Sequence, residues 1–132
     1  MRLIKARPAP FTLSLVDGKK RSTLQNNLQR LWVTEIAEQL GDRTPEEARG
    51  ECKLTLGVPI LREEDEPFRI AYDAAVKHLS YEQKMALMMV PLDMPVTRRM
   101  TVKQKTQYLD AIVRHYGAQG VILTMPMEGN DA

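Results

Sequence analysis

The sequence has little of what marks several classes of protein. It contains one cysteine, Cys52, so no internal disulfide can form and no zinc-ligand spacing occurs. No apolar run approaches the roughly 18 residues that a membrane-spanning helix needs. The apolar part of the N-terminal segment is too short for a secretory signal. Aromatic residues make up only 5% of the chain, which argues against extensive stacking on nucleic-acid bases. We therefore expect a soluble, cytoplasmic protein.

Catalytic motifs are equally scarce. The chain has no Walker loop, no GxSxG motif and no dinucleotide fingerprint. The histidines His78 and His115 have no metal-like spacing to another histidine, cysteine or acid pair. The acidic run 63–66 could hold a metal ion in principle, but it lacks the ordered spacing of a calcium loop. We expect no enzymatic activity, no cofactor and no metal, with a metal-dependent nuclease that uses the acidic run as a minor alternative.

The chain has the size and composition of one globular domain, with 132 residues, 43% hydrophobic and 27% charged. We predict a single domain over 1–125 and a frayed tail over 126–132. Charge is distributed unevenly. Residues 1–33 carry seven basic groups and one acidic group, residues 34–93 carry seven and thirteen, and residues 94–132 carry five and three. This pattern indicates a positive surface that steers polyanions, or a chance arrangement of charge blocks.

Capping boxes predict four helix starts. They are Ser22 to Gln25, Thr44 to Glu47, Ser80 to Gln83 and Thr101 to Gln104. A fifth helix is predicted near Pro67, after an acidic loop over 63–66. The first helix carries an apolar residue every four positions, and Gly41 is expected to end it. The helix that begins at Thr44 is expected to stop at Gly57, although its last residues also alternate like a strand.

Two short strands complete the predicted fold. Residues 11–16 alternate between apolar and polar side chains, as a strand with one buried face does, and residues 120–124 can pair with them. The loop over 91–99 contains two prolines. The expected fold class is α+β, mostly α, with about five helices and a small two- or three-stranded sheet.

The stretch GKKRSTLQNNLQRLW, residues 18–32, is the strongest candidate for a ligand site. Cations just before a helix start lie where free backbone amides already favour anions, and carboxamides and guanidinium groups suit phosphates and base edges. The candidate nucleic-acid-binding residues here are Lys19, Lys20, Arg21, Gln25, Asn26 and Arg30. The alternative is a capped helix with a polar outer face, in which Gln25 completes the box and Trp32 lies in the core.

A second basic segment precedes the last helix. Its candidate nucleic-acid-binding residues are Arg98, Arg99, Lys103 and Lys105. Cations near a helix N-terminus cost helix stability because the helix dipole repels them, so they point to a ligand. The alternative is a solvated loop near carboxylates of the acidic middle.

Two blocks of the chain resemble the phage NinB family of Orf-like recombination proteins. The first is KRSTLQNNLQRLW followed by EIAEQLGD, in which Arg21, Ser22, Gln25 and Asn26 correspond to the shared motif. The second is PVTRRMTVKQKTQYLDAIVRHYGAQGV, a turn, an amphipathic helix and a small terminal strand.

The resemblance implies a phage or prophage recombination accessory protein that is not an enzyme. It implies binding to DNA, with single strands favoured, formation of a homodimer, and cooperation with host single-strand-binding protein or recombinase. The alternative function is a protein-interaction adaptor of a mobile element, which works through the acidic middle or through the methionine-bearing helix near Met88.

Overall fold

The computed structural model describes residues 3–5 and 18–126, with residues 3–5 and 18–22 described by their backbone alone. Helices dominate this part of the chain, so the predicted mostly helical class is confirmed. The elements in chain order are β1 (Leu3–Lys5), α1 (Gly18–Leu40), α2 (Pro45–Cys52), a π-helical turn (Lys53–Gly57), α3 (Val58–Glu64), α4 (Glu66–Ala75), α5 (Tyr81–Met88), a 3-10 turn (Thr97–Arg99), α6 (Val102–Gly117) and β2 (Thr124–Pro126).

Contacts divide the chain into two compact units. Unit 1 comprises the chain up to Pro45 and from Leu109 onward, and unit 2 comprises Glu46–Tyr108. The boundary between them falls inside α6. The single domain over 1–125 stays a prediction, and the predicted tail lies, after residue 126, outside the described residues.

The first helix begins five residues earlier than its capping box predicts. Helix α1 starts at Gly18 rather than after Ser22, so the predicted cap at Ser22 is wrong. Lysine and arginine are good helix formers, and the three that precede Ser22 extend the helix through it. The predicted end at Gly41 is confirmed, since Gly41 has a φ of 77°, a backbone conformation that glycine adopts without strain.

The helix predicted over 44–56 does not stop at Gly57. It starts at Pro45 as expected, but it passes through the π turn and continues to Glu64 as α3. The N–H of Val58 donates to the carbonyl of Lys53, five residues back. A proline ring inside a helix clashes with the carbonyl four residues back, and the wider π turn just before Pro59 provides a way to relieve that clash.

The acidic run is not a loop, contrary to the prediction. Its first two residues end α3, and Glu66 begins α4. Asp65 lies between the two helices and caps α4, because its Oδ1 accepts a hydrogen bond from the Phe68 N–H at 3.2 Å. The predicted helix near Pro67 is confirmed.

Two of the predicted capping boxes are present in full. Ser80 Oγ accepts from Gln83 N at 3.1 Å, and Gln83 Oε1 accepts from Ser80 N at 3.0 Å. Thr101 Oγ1 accepts from Gln104 N at 3.1 Å, and Gln104 Oε1 accepts from Thr101 N at 2.9 Å. Each box satisfies two backbone donors that would otherwise lack a partner at a helix start.

The predicted sheet is not confirmed. Residues 11–16, its expected first strand, lie outside the described residues. The chain over 121–123 has no regular structure, and the strand begins only at Thr124. In the described chain, β2 pairs antiparallel with β1 over three residues each, with Ile4 opposite Met125.

Each unit buries an apolar core of its own. In unit 2 the core draws on α3, α4, α5 and the chain before the 3-10 turn. Its buried members are Leu54, Val58, Leu61, Phe68, Tyr72, Val76, Met88 and Val96. The buried residues of unit 1 include Leu28, Trp32, Ile36, Leu109, Ile112, Val113, Tyr116, Val121 and Leu123. The cysteine, Cys52, is also buried, as a small apolar side chain often is.

Candidate nucleic-acid interface

Helix α1 divides into a buried face and a polar face. Leu28, Trp32 and Ile36 are 2%, 0% and 0% exposed, and they recur at the three- and four-residue spacing of one helix face. Asn26 and Arg30 are exposed on the other side. No carboxylate occurs in the sequence from residue 18 to residue 34, so the polar face of this part of α1 has no acidic residue of its own.

The three adjacent basic residues lie inside α1 rather than before it. Lys19, Lys20 and Arg21 follow the first helical residue, which corrects the predicted position. The first turn of α1 contains no acidic residue. Because the N-terminal end of a helix carries partial positive charge, cations in this turn raise the local positive potential further.

The candidate residues after Ser22 differ in their exposure to solvent. Asn26 and Arg30 are exposed. Gln25 is 2% exposed, so its side chain lies in the core rather than on the polar face, and its contact with nucleic acid stays a prediction. Its position is three residues before Leu28, on the buried face of the helix, and the earlier helix start removes its expected role in a capping box.

Trp32 belongs to the core of unit 1, as one of the two interpretations of this stretch predicts. Its indole Nε1 donates to the carbonyl of Thr124 at 2.6 Å. The Glu35 carboxylate accepts from the N–H of Thr124 at 2.9 Å and from its hydroxyl. Gln39 both donates to the Ile122 carbonyl at 2.7 Å and accepts from its N–H at 2.9 Å. The side of α1 that carries Trp32, Glu35 and Gln39 therefore satisfies the backbone that leads into β2.

The second basic segment is only partly open to a ligand. Arg99 Nε and Nη2 each donate to the Asp65 carboxylate at 3.0 Å. This fork occupies one edge of the guanidinium, so Arg99 is a partner of the α4 cap rather than an unengaged phosphate contact. The sequence did not show this pairing because the two residues are 34 positions apart.

The other three cations of that segment differ in exposure. Arg98 and Lys103 are exposed, whereas Lys105 is half-buried. Burial lowers the pKa of the Lys105 ammonium, because removal from water disfavours its charged form. Arg98 and Lys103 are therefore the two of these three cations whose side chains are exposed.

A charged network that sequence reasoning missed lies in unit 2. Lys53, in the π turn, is 3% exposed. Its Nζ donates to Asp93 Oδ1 at 2.7 Å and to the Met88 carbonyl at 2.8 Å. Burial lowers the pKa of the Lys53 ammonium, while the hydrogen bond from Lys53 lowers the pKa of the Asp93 carboxyl.

Arg49 and Glu46 complete this network. Arg49 Nη2 donates to Asp93 Oδ1 at 2.9 Å, and its Nε and Nη2 form a fork with the Glu46 carboxylate at 3.0 and 2.8 Å. Glu46 Oε2 also accepts from the N–H of Val90 at 2.9 Å. The hydrogen bond from Arg49 lowers the pKa of Glu46. Two cations and two carboxylates thus fix the loop after α5 to α2 and the π turn, with Asp93 at a φ of 49°.

The described residues also bear on two other classes of protein. No helix among residues 18–126 is long and apolar enough to cross a membrane. Within the same part of the chain, no three His, Cys, Asp or Glu side chains come together in a way that could hold a metal ion.

Comparison with known proteins identifies no family for this chain. No protein-family model, no curated protein and no solved structure matches this chain significantly. The resemblance to the NinB family stays a prediction that rests on the two sequence blocks.

Proposed function

We propose that this protein binds single-stranded DNA through the basic N-terminal part of α1. In this proposal it acts without enzymatic activity, as an accessory protein of phage or prophage recombination in the cytoplasm of a bacterial host. Binding is directed mainly at the phosphate backbone and tolerates different sequences, since the chain is poor in aromatic residues.

The observation that carries the proposal is the composition of the first turn of α1. Lys19, Lys20 and Arg21 lie in or beside a turn that has no acidic residue. That arrangement is unfavourable for an isolated helix because its dipole repels cations at this end. A bound polyanion would offset the repulsion and would also meet the N–H groups that the helix start leaves without an intrahelical partner.

The exposed residues one to three turns further along α1 have the chemistry to extend such a contact. The guanidinium of Arg30 can donate to phosphate oxygens, and the carboxamide of Asn26 can donate to a phosphate or pair with a base edge. Arg98 and Lys103 are proposed as additional contacts, whereas Gln25 and Arg99 are left out because one is buried and the other is paired.

The place in recombination comes from the family resemblance. From it we also propose a homodimer, and host single-strand-binding protein or recombinase as partners. One observation connects the resemblance with the proposed site. The first of the two blocks that resemble the family is the part of the chain that carries the basic first turn of α1.

Fluorescence anisotropy of labelled single-stranded and duplex oligonucleotides across a salt series tests the proposal. Wild-type protein is expected to favour single strands and to weaken steeply as salt rises, because each phosphate contact releases counterions. Reversal of charge at all three positions, Lys19→Glu, Lys20→Glu and Arg21→Glu, is expected to abolish binding.

A control with the same net charge separates this site from a general charge effect. The variant Lys77→Glu, Lys84→Glu, Arg114→Glu also reverses three basic side chains, but in α5, α6 and the turn after α4. It is expected to keep most of the affinity. Equal losses in the two variants, or binding by wild-type protein that does not change with salt, would overturn the proposed site.

A protein-interaction adaptor is the second candidate, and one observation favours it. Val90 and Leu92 are each 64% exposed, on the loop that the Lys53 network fixes in place. Fixed apolar side chains on a surface are typical of protein contacts. If wild-type protein binds no DNA even at low salt, this candidate replaces the first. It then predicts that Val90→Ser with Leu92→Ser abolishes partner capture, while charge reversal in α1 leaves it intact.

A further inference from the structure

An apolar groove runs beside α4 within unit 2. Its volume is about 450 Å³, in the range of small-molecule sites. Its lining includes Phe68, Ala71, Tyr72 and Ala75 of α4, together with Met94. The rings of Phe68 and Tyr72 are buried and stacked, with 5.6 Å between their centroids. The groove therefore has an apolar lining backed by packed aromatic side chains.

Arg99 is the charged side chain among the residues that line the groove. Its guanidinium carbon lies 6.0 Å from the centroid of the Phe68 ring. In its ion pair with Asp65, the arginine side chain is 44% exposed and the carboxylate side chain only 17%. The pair uses Nε and Nη2, so the Nη1 group is left to donate to a second anion. The groove thus combines an apolar lining with one guanidinium hydrogen-bond donor, whose charge Asp65 offsets.

This lining suits a hydrocarbon chain better than a peptide. Pro67 and Pro95 in the lining have no N–H, and the N–H groups of α4 after its first turn are bonded within the helix. An extended peptide would bring amide groups that need hydrogen-bond partners and would find few donors here. An aliphatic chain needs none, and a carboxylate at its end needs one cation.

We propose that this groove binds an apolar monocarboxylate of the fatty-acid type. The aliphatic chain lies along the α4 face that carries Ala71 and Ala75, and the carboxylate accepts hydrogen bonds from Arg99. The site is independent of DNA binding by α1, so either proposal can fail without the other.

Isothermal titration of the 132-residue chain with decanoate, below its micelle concentration, tests this site. Decanol in parallel measures the contribution of the carboxylate. Ala71→Leu fills the groove and is expected to weaken decanoate binding by about tenfold or more. Ala74→Leu is the matched control, since Ala74 is also exposed on α4 but does not line the groove. It is expected to stay within about twofold of wild type.

A second variant tests the cation. Arg99→Gln is expected to weaken decanoate by about tenfold, the range of a hydrogen bond to a charged group, and to leave decanol unchanged. Amide chemical-shift changes over residues 67–76 would locate the ligand, and a thermal melt checks that each variant is folded. Absence of both heat and shift changes with decanoate, or equal losses in the two leucine variants, would overturn the proposal. Tighter binding of an amidated apolar peptide than of decanoate would assign the groove to a protein partner instead.

Discussion

The cations of the acidic middle and the cations of α1 differ in what surrounds them. Over residues 34–93, five of the seven basic side chains take part in ion pairs within that segment: Arg43, Arg49, Lys53, Arg62 and Arg69. In α1 the sequence from 18 to 34 supplies no carboxylate, and Arg30 is exposed. A count of charge along the chain therefore understates the difference between Arg30 and the cations of the acidic middle, because pairing removes most of the latter from any role in ligand binding.

The two regions also differ in what charge does for the fold. In unit 2 a buried lysine, two carboxylates and an arginine hold one loop in place. Such a network stabilises only while every member has its partner, since a charge left alone in a buried site is costly. The side chains on the polar face of α1, such as Asn26 and Arg30, are exposed rather than buried. Substitutions there should therefore change binding and leave the free energy of unfolding nearly unchanged.

The largest effect is expected from removal of Lys53. Lys53→Ala leaves the Met88 carbonyl without its donor and opens a cavity at a position that is 3% exposed. We expect the free energy of unfolding to fall by about 3 kcal/mol, as measured by urea denaturation. Lys53→Met keeps most of the volume and should lose less. The control Lys77→Ala, at an exposed position, should change stability by less than about 0.5 kcal/mol, and equal effects at 53 and 77 would contradict the role of the network.

Acid should weaken the same network. The hydrogen bond from Lys53 lowers the pKa of Asp93 below its ordinary 3.8, and the hydrogen bond from Arg49 lowers the pKa of Glu46 below 4.5. The folded state therefore binds fewer protons than the unfolded state, and the contribution is complete above about pH 5 and lost as pH falls through the folded values.

Denaturation curves at pH 7 and at pH 3 measure this loss. Asp93→Asn should reduce the difference in unfolding free energy between the two pH values. The effect is smaller than that of Lys53→Ala, since the Asp93 side chain is 41% exposed and solvent screens the pair. An unchanged pH dependence in the variant would show that other carboxylates govern acid unfolding.

Local signals in the sequence predict most of the helices. The boxes at Ser80 and Thr101 mark helix starts correctly because each box is complete within four residues. At Ser22 the same pattern fails, since the basic residues before it are helix formers that extend α1. The pairing of β2 with β1 could not be predicted in this way, because the two strands lie at opposite ends of the described chain. The π turn has a local cause in Pro59, but capping patterns do not reveal it.

The candidate site was harder to predict than the fold. The residue types of α1 indicated which side chains have the right chemistry, but only the packing shows that Gln25 faces the core. Arg99 and Asp65 are 34 positions apart, and Lys53 and Asp93 are 40 positions apart. Spacing along the chain carries no information on such pairs, so the sequence could not separate paired cations from exposed ones.

Salt dependence offers a direct comparison of a paired and an exposed arginine. If Arg30 contacts a phosphate, Arg30→Gln should reduce the slope of log K against log salt by about 0.7 for single strands. Arg99→Gln should leave that slope unchanged, because its guanidinium is already engaged by Asp65. Anisotropy titrations at four or more salt concentrations would measure both slopes. A reduced slope for Arg99→Gln alone would reverse the assignment of the two residues.

The smallest effect is expected in the fluorescence of Trp32 when DNA binds. This measurement tests whether the buried face and the polar face of α1 are as distinct as the exposure of their side chains indicates. Trp32 is fully buried, and its indole donates to the Thr124 carbonyl, so DNA on the polar face cannot stack on the ring without opening the core. Saturation with single-stranded DNA should therefore leave its emission maximum and its protection from a soluble quencher unchanged. Because the chain has a single tryptophan, the signal is unambiguous. A shift or a gain of quenching on binding would mean that α1 separates from β2 when DNA binds, and that the buried face of the helix takes part in recognition.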